Sequence, residues 1–263
     1  MNKKLALEIK DNGIIKIDNF LNYEEILKIK KIVKYYSAPK NTPESYFPTN
    51  FNNLLVKILK LNFVKFFHSI EILKLSRKKK LNNLAAEFFG KKSKLSVIDA
   101  YYSKISKQDV LPWHTDQAYS GKKDVTNFNN PDNFFLKIFI YLTDVGPDDG
   151  CMSYIKGSHK IGYAIRKAIF EKNISYQPYW SIKDFRKIII DNKKYFENYF
   201  KNSKTLEHFL IQTKNLENGD KKVYGYSAKA GSAIVFDEGG VHRGSRPQNT
   251  DRMVLRFLYS PKN

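Results

Sequence analysis

In the stretch LPWHTDQAYSG, residues 111–121, a histidine and an aspartate stand two positions apart, His114 and Asp116. Side chains two apart on an extended strand share a face, so the imidazole and the carboxylate would converge on one point. That donor pair suits Fe(II), Mn(II) or Zn(II). Two ligands alone do not separate a metal site from polar decoration of a loop, so a third donor is required.

The chain has five histidines from which to draw it. His68 lies in an apolar helical stretch and reads as a packing or capping residue, and His208 in TLEHFLI reads the same way. His159 closes KGSHK, a turn where the ring is expected to bond backbone. His242 is different: it follows the pair Gly239-Gly240, which lets the backbone approach a site closely. Arg252 opens the strand-like segment that comes next, RMVLRFLYS. Its planar fork pairs with carboxylates, a use that fits beside two histidines and an aspartate. Outside that context Arg252 would read as a surface cation at a strand end.

Short strands must carry these residues. After Gly90 the chain holds six β-branched and aromatic segments: 95–105, 134–145, 152–157, 222–228, 231–238 and 252–260. Turn residues such as GPDDG and KAGS bound them, and no regular helical crossovers intervene. This pattern predicts an antiparallel sandwich or barrel. Upstream, residues 12–33 read as strand, turn and amphipathic helix, with Asn22 and Glu25 forming a capping box and Ile26, Ile29 and Val33 on one face. Residues 37–50, with Pro39, Pro43 and Pro48, read as a loop beside the site, and 51–89 as helical. Residues 160–220 read as a helical insertion. The expectation is one domain over 1–263, mainly β with flanking helices (α+β), with an N-terminal strand and helices over 1–90 and a core over 91–263.

Composition narrows the class. Hydrophobic content of 42% and 14% aromatics predict a folded globular chain. The single cysteine, Cys151, excludes an internal disulfide framework, and the N-terminus lacks an apolar signal region. The longest apolar-looking run, 54–67, is broken by lysines and too short to span a bilayer, so a cytoplasmic protein is expected. The net charge of +20 favours anionic partners in principle, although an AT-rich codon bias accounts for much of the lysine. The basic clusters SRKKK and GKKSK carry no interleaved aromatics of the kind that stack bases, which argues against nucleic acid.

Taken together, HTD (114–116), LKIFIYLTDV (136–145), DDGCMSYIKGSHK (148–160) and VHRGSRPQNTDRMVLRF (241–257) resemble the phytanoyl-CoA dioxygenase family of Fe(II)/2-oxoglutarate-dependent oxygenases. The opening NGIIKIDNFLNYEEI resembles that family's N-terminal segment. The resemblance implies a double-stranded β-helix (jelly-roll, cupin-like) core, with His114, Asp116 and His242 as catalytic metal ligands. It implies that Arg252 pairs with the distal carboxylate of 2-oxoglutarate, with Lys137 as a further cosubstrate contact; otherwise Lys137 would be a solvent-facing strand residue. Ser245 is a weaker candidate, and GSH at 157–159 is read as a structural turn.

The implied cofactors are Fe(II), 2-oxoglutarate and O2, and the implied reaction is hydroxylation of a small molecule with release of succinate and CO2. Asp116 stands where related halogenases carry a small residue, which favours hydroxylation over halogenation. Desaturation, ring closure and epimerisation stay open. Tyr102 or its neighbour Tyr101, with Gln117, Tyr119 and Arg243, are candidate substrate contacts. The substrate is expected to be a small molecule, with the charge compatible with an anion. The alternatives are an oxygenase acting on nucleic acid and a non-catalytic jelly-roll ligand-binding protein.

Overall fold

The computed structural model describes residues 2–37, 44–50, 63–107, 111–116, 135–175, 181–201, 204–217 and 224–262. The N-terminal part comprises α1 (Asn2–Asn12), β1 (Ile14–Ile17), α2 (Tyr23–Ser37), β2 (Glu44–Phe47), α3 (Phe63–Lys78) and α4 (Leu81–Phe89). Then come β3 (Ser93–Ser103), β4 (Leu111–His114), β5 (Leu136–Tyr141) and β6 (Met152–Tyr154). Four helices follow, α5 (Ser158–Phe170), α6 (Ile182–Asp191), α7 (Lys193–Phe200) and α8 (Lys204–Glu217). The chain closes with β7 (Gly225–Tyr226), β8 (Ala233–Asp237), β9 (His242–Gly244) and β10 (Arg252–Pro261).

The strands form two antiparallel sheets, a major sheet ordered β1-β8-β5-β10-β3-β2 and a minor sheet ordered β4-β9-β6-β7. This is the jelly-roll arrangement expected from the sequence, within an α+β chain. Alternation divides the major sheet cleanly. Ile98, Ala100, Ile138, Ile140, Leu255 and Phe257 face outward into a buried cluster with Ile29, Val33, Ile72, Leu84 and Ala85 of α2, α3 and α4. The intervening residues, including Tyr101, Lys137, Phe139, Arg252, Val254 and Arg256, line a cavity on the other face, shared with the minor sheet.

The capping box of α2 forms as the sequence predicts: Glu25 N–H donates to Asn22 Oδ1 at 2.9 Å and Asn22 N–H to Glu25 Oε2 at 3.0 Å. The same carboxylate meets Lys78 at 2.6 Å and Lys79 at 2.8 Å, tying α2 to the end of α3. Burial would raise the pKa of Glu25, but these two ammonium groups and the Asn22 N–H hold it at about 2. Helices α5–α8 share a second apolar cluster with the minor sheet, with Ile161, Ile165 and Ile169 of α5 packed with Phe185, Ile189, Phe196 and Phe209 and with Ile155 and Val241.

Three local expectations change. Residues 44–47, read as loop, form an edge strand paired with β3, because Phe47 is buried and Pro48 only ends the strand. Residues 2–12, given no element, are helical; Ala6 and Ile9 bury one narrow face, a weak periodic signal in a lysine-rich segment. His208, expected to pack, is exposed on α8. The helical periodicity assigned to 51–62 falls outside the described residues. Among the described residues no helix is long and apolar enough to cross a membrane.

Candidate metal centre

His114 and His242 are direct partners across β4 and β9, which brings their ring centroids to 4.4 Å. Asp116 lies just beyond β4. One donor atom from each of His114, Asp116 and His242 falls within 4.8 Å of the others.

The segment leading into His242 is held from several sides. Val241 N–H donates to Ser158 Oγ at 2.7 Å, and Ile155 N–H to Val241 O at 3.0 Å. Thr115 Oγ1 donates to Gly239 O at 3.2 Å, linking the two halves of the site. A Cβ on Gly240 would stand 1.8 Å from the Tyr154 hydroxyl, and one on Gly162 of α5 would stand 1.9 Å from Gly239 O. Glycine is therefore required at both positions by close approach. GSH at 157–159 serves this frame: Ser158 caps Val241, and His159 Nε2–H donates to Lys10 O at 2.9 Å.

Tautomer and charge show that the donors fit a cation. His242 Nδ1–H donates to the Gly240 carbonyl at 2.8 Å, and since a carbonyl can only accept, the neutral ring keeps its lone pair on Nε2. That nitrogen lies 3.1 Å from Asp116 Oδ2, and His114 Nε2 lies 3.7 Å from Asp116 Oδ1. A lone pair and a carboxylate oxygen this close repel unless a proton or metal ion sits between them. Two imidazoles and a carboxylate on one side suit non-haem Fe(II).

Lys137 is buried and pairs with Asp116 Oδ2, while its Nζ lies 3.8 Å from Glu238 Oε2. A solvent-facing Lys137 is thus excluded: residue 137 falls on the inner face of β5. Burial would raise the Asp116 pKa, but Lys137, His242 and His114 hold it well below the ordinary carboxylate range. For Glu238 burial wins, helped by Asp116 and Asp237 and opposed by Lys137, and its pKa is pushed up to about 8. Glu238 also accepts the Phe135 N–H at 3.1 Å.

Arg252 is buried in the same cavity. It donates to Gly150 O at 2.6 Å and Ser103 Oγ at 3.1 Å, and among the described residues no carboxylate pairs with it. Arg256, two alternations further along β10 on the same face, is closed instead: Nε donates to Asp99 Oδ1 at 2.7 Å and Nη2 to Asp99 Oδ2. Its guanidinium carbon lies 4.7 Å from the Tyr101 ring centroid.

Two substrate candidates point elsewhere. Tyr102 faces the helices and donates to Asp251 Oδ2 at 2.8 Å; its neighbour Tyr101 lines the cavity, since only one phase of β3 faces inward. Arg243 adjoins His242 on β9 and therefore points to the opposite side of the minor sheet, over Trp113 at 5.3 Å. Ser245 shares that outer face. Gln117 and Tyr119 lie outside the described residues. Glu238, Asp99 and Arg256 stand in or beside the cavity without being expected there from the sequence. Of these, Arg256 carries a signal, its even spacing from Arg252.

Solved structures share this fold. The iron-bound HygX of Streptomyces hygroscopicus matches with a TM-score of 0.58 at 14% identity, covering 98% of this chain and 86% of that one. The epimerase SnoN, in complex with Fe3+, alpha-ketoglutarate and nogalamycin RO, matches with a TM-score of 0.56 at 13% identity, covering 99% and 83%. The carbocyclase SnoK from nogalamycin biosynthesis matches with a TM-score of 0.56 at 13% identity, covering 99% and 84%. No curated protein matches the sequence. The profile of the phytanoyl-CoA dioxygenase (PhyH) family matches residues 9–254, nearly the whole chain, and the chain belongs to that family.

Proposed function

We propose that the protein is an Fe(II)/2-oxoglutarate-dependent oxygenase of a small organic molecule, with His114, Asp116 and His242 holding iron. The observation that carries this reading is the convergence of those donors in a cavity that also holds the buried Arg252 and Lys137. Iron with 2-oxoglutarate supplies O2 activation coupled to oxidative decarboxylation, giving succinate and CO2.

The chain's own residues do the rest. Once Asp116 is committed to a metal, Lys137 loses its strongest counter-charge, so Lys137 and Arg252 together suit a dicarboxylate. Arg252 takes the distal carboxylate, held in orientation by Gly150 O and Ser103. Lys137 steadies negative charge near Asp116, and Glu238 positions its ammonium. Tyr101, Phe139 and Met152 give the cavity an apolar wall that excludes water from the reacting centre. Gln117, next to the ligand Asp116, is proposed as a substrate contact.

Asp116 in place of a small residue supports hydroxylation over halogenation. The names epimerase and carbocyclase carried by two structures of this fold keep other outcomes within its reach. Small-molecule substrates are supported by nogalamycin RO in the SnoN structure and hygromycin B in a HygX structure.

The test is iron-dependent 2-oxoglutarate turnover, screened against CoA esters, phosphonates, sugars and amino acids. One class is expected to stimulate succinate release, and His242→Ala is expected to abolish it. Full retention of succinate release in His242→Ala would refute the assignment.

A further inference from the structure

A second cavity, of about 450 Å³, lies behind the minor sheet. Register and alternation fix the separation. Met152, Gly244 and His242 face the metal cavity, whereas Ser153, Arg243 and Ser245 face the second one. The two sites are thus back to back across β9 and β6, and a ligand in one does not touch the other.

Its floor is polar and cationic. Arg243, Ser153 and Ser245 are buried, and the two serine hydroxyls lie 3.3 Å apart. Arg246 and Lys107 stand at the rim, where Arg246 Nη1 donates to Lys107 O and so holds the loop after β3 against the loop after β9. Among the described residues the lining has one carboxylate, Asp148, against three cations, and Gln248 Nε2 contacts it at 3.4 Å. Cys151 adds no negative charge: burial pushes its thiol up to about 11, against the pull of Arg243 and Arg252. Three cations and two hydroxyls around one space match the several acceptor oxygens and double charge of a phosphoryl group. The volume exceeds that of a bare ion and falls in the range of small-molecule pockets.

We infer that this cavity is a second binding site, taking the phosphoryl group of a small anion on the face of β9 opposite His242. It stands independently of the oxygenase reading, which enters its test only as a way to block the metal cavity.

Isothermal titration with ribose 5-phosphate, and separately with inorganic phosphate, tests it on anaerobic protein loaded with Fe(II) and 2-oxoglutarate at near-physiological salt. Saturable binding of one ligand per chain is expected. Lys107→Ala with Arg246→Ala, both outside the sheets, should weaken it about tenfold or more, while loss of the single Arg246–Lys107 loop bond lowers the melting temperature by no more than about 2–4 °C. Lys187→Ala with Lys193→Ala, on the exposed faces of α6 and α7, should leave it unchanged. Tighter binding of ribose 5-phosphate than of inorganic phosphate would assign a phosphorylated metabolite, and equal binding the free ion. Equal weakening by both double variants would reduce the effect to the diffuse +20 charge and overturn the site. Displacement of 2-oxoglutarate by the phosphate would place it in the metal cavity and overturn the site too.

Discussion

Asp99 and Asp116 are two largely buried carboxylates whose cationic partners, Arg256 and Lys137, line one cavity, yet they are committed in different ways. Asp99 spends both oxygens on one guanidinium in a fork-to-fork pair, between residues that are direct partners in β3 and β10. Asp116 is shared among Lys137, His242 and His114, and no single contact satisfies it. The closed pair is a fixed part of the wall. Under the proposed function the shared carboxylate is the one that would pass to a metal, leaving Lys137 for a cosubstrate carboxylate. The same contrast separates the two arginines: Arg256 is closed by Asp99, and Arg252 is left to backbone and hydroxyl acceptors.

Substitutions that exchange those roles test the contrast most strongly. Asp116→Ala should reduce iron-dependent succinate release to background while leaving the fold intact, measured by turnover beside circular dichroism. Arg252→Met should raise the KM for 2-oxoglutarate about 100-fold with a smaller change in kcat, the mark of a lost charge-assisted contact to cosubstrate. Asp99→Asn should do the reverse. Breaking a buried pair from one side should cost about 3 kcal/mol in chemical denaturation, with the KM for 2-oxoglutarate shifting little. A large KM effect at Asp99 with unchanged stability would collapse the distinction.

How much of this was legible in the sequence follows the range of each interaction. The HTD triplet stood out because two donor types share one strand face at local spacing. His242 and Arg252, more than a hundred positions away, were singled out by the Gly239-Gly240 turn, the strand that follows and the family resemblance. Asn22 and Glu25 did so because a helix cap closes within four residues. The phase of a strand was not legible. Tyr101 and Tyr102 are equivalent in sequence, and only the pairing of β3 with β10 decides which faces inward. Arg243 was drawn toward the site by its adjacency to His242, although adjacency on a strand means opposite faces. Asp99 meets Arg256, and Glu238 meets Lys137, across contacts that no local pattern announces.

Smaller effects sharpen the picture around the site. Burial pushes Asp237 up to about 7, against the Gly239 N–H that favours its charged form. A carboxyl with a raised folded pKa stabilises the fold fully below the ordinary carboxylate range and loses that contribution as pH rises through about 7. The wild-type melting temperature should therefore fall relative to Asp237→Asn between about pH 5 and pH 8, by on the order of 2 kcal/mol in stability. A parallel pair of pH profiles would contradict the burial assigned to that carboxyl. Smallest is Glu25→Gln, which loosens a partly buried network of Lys78 and Lys79 and should cost about 1 kcal/mol near neutral pH. That contribution should vanish in acid, as pH falls through about 2.

The central claim is that Asp116, His114 and His242 hold iron with 2-oxoglutarate beside it, and anaerobic visible spectroscopy addresses it directly. Adding Fe(II) and 2-oxoglutarate together should produce a weak metal-to-ligand charge-transfer band that neither gives alone and that His242→Ala eliminates. Folded, metal-loaded protein that shows no such band, or a band that survives in His242→Ala, would contradict it.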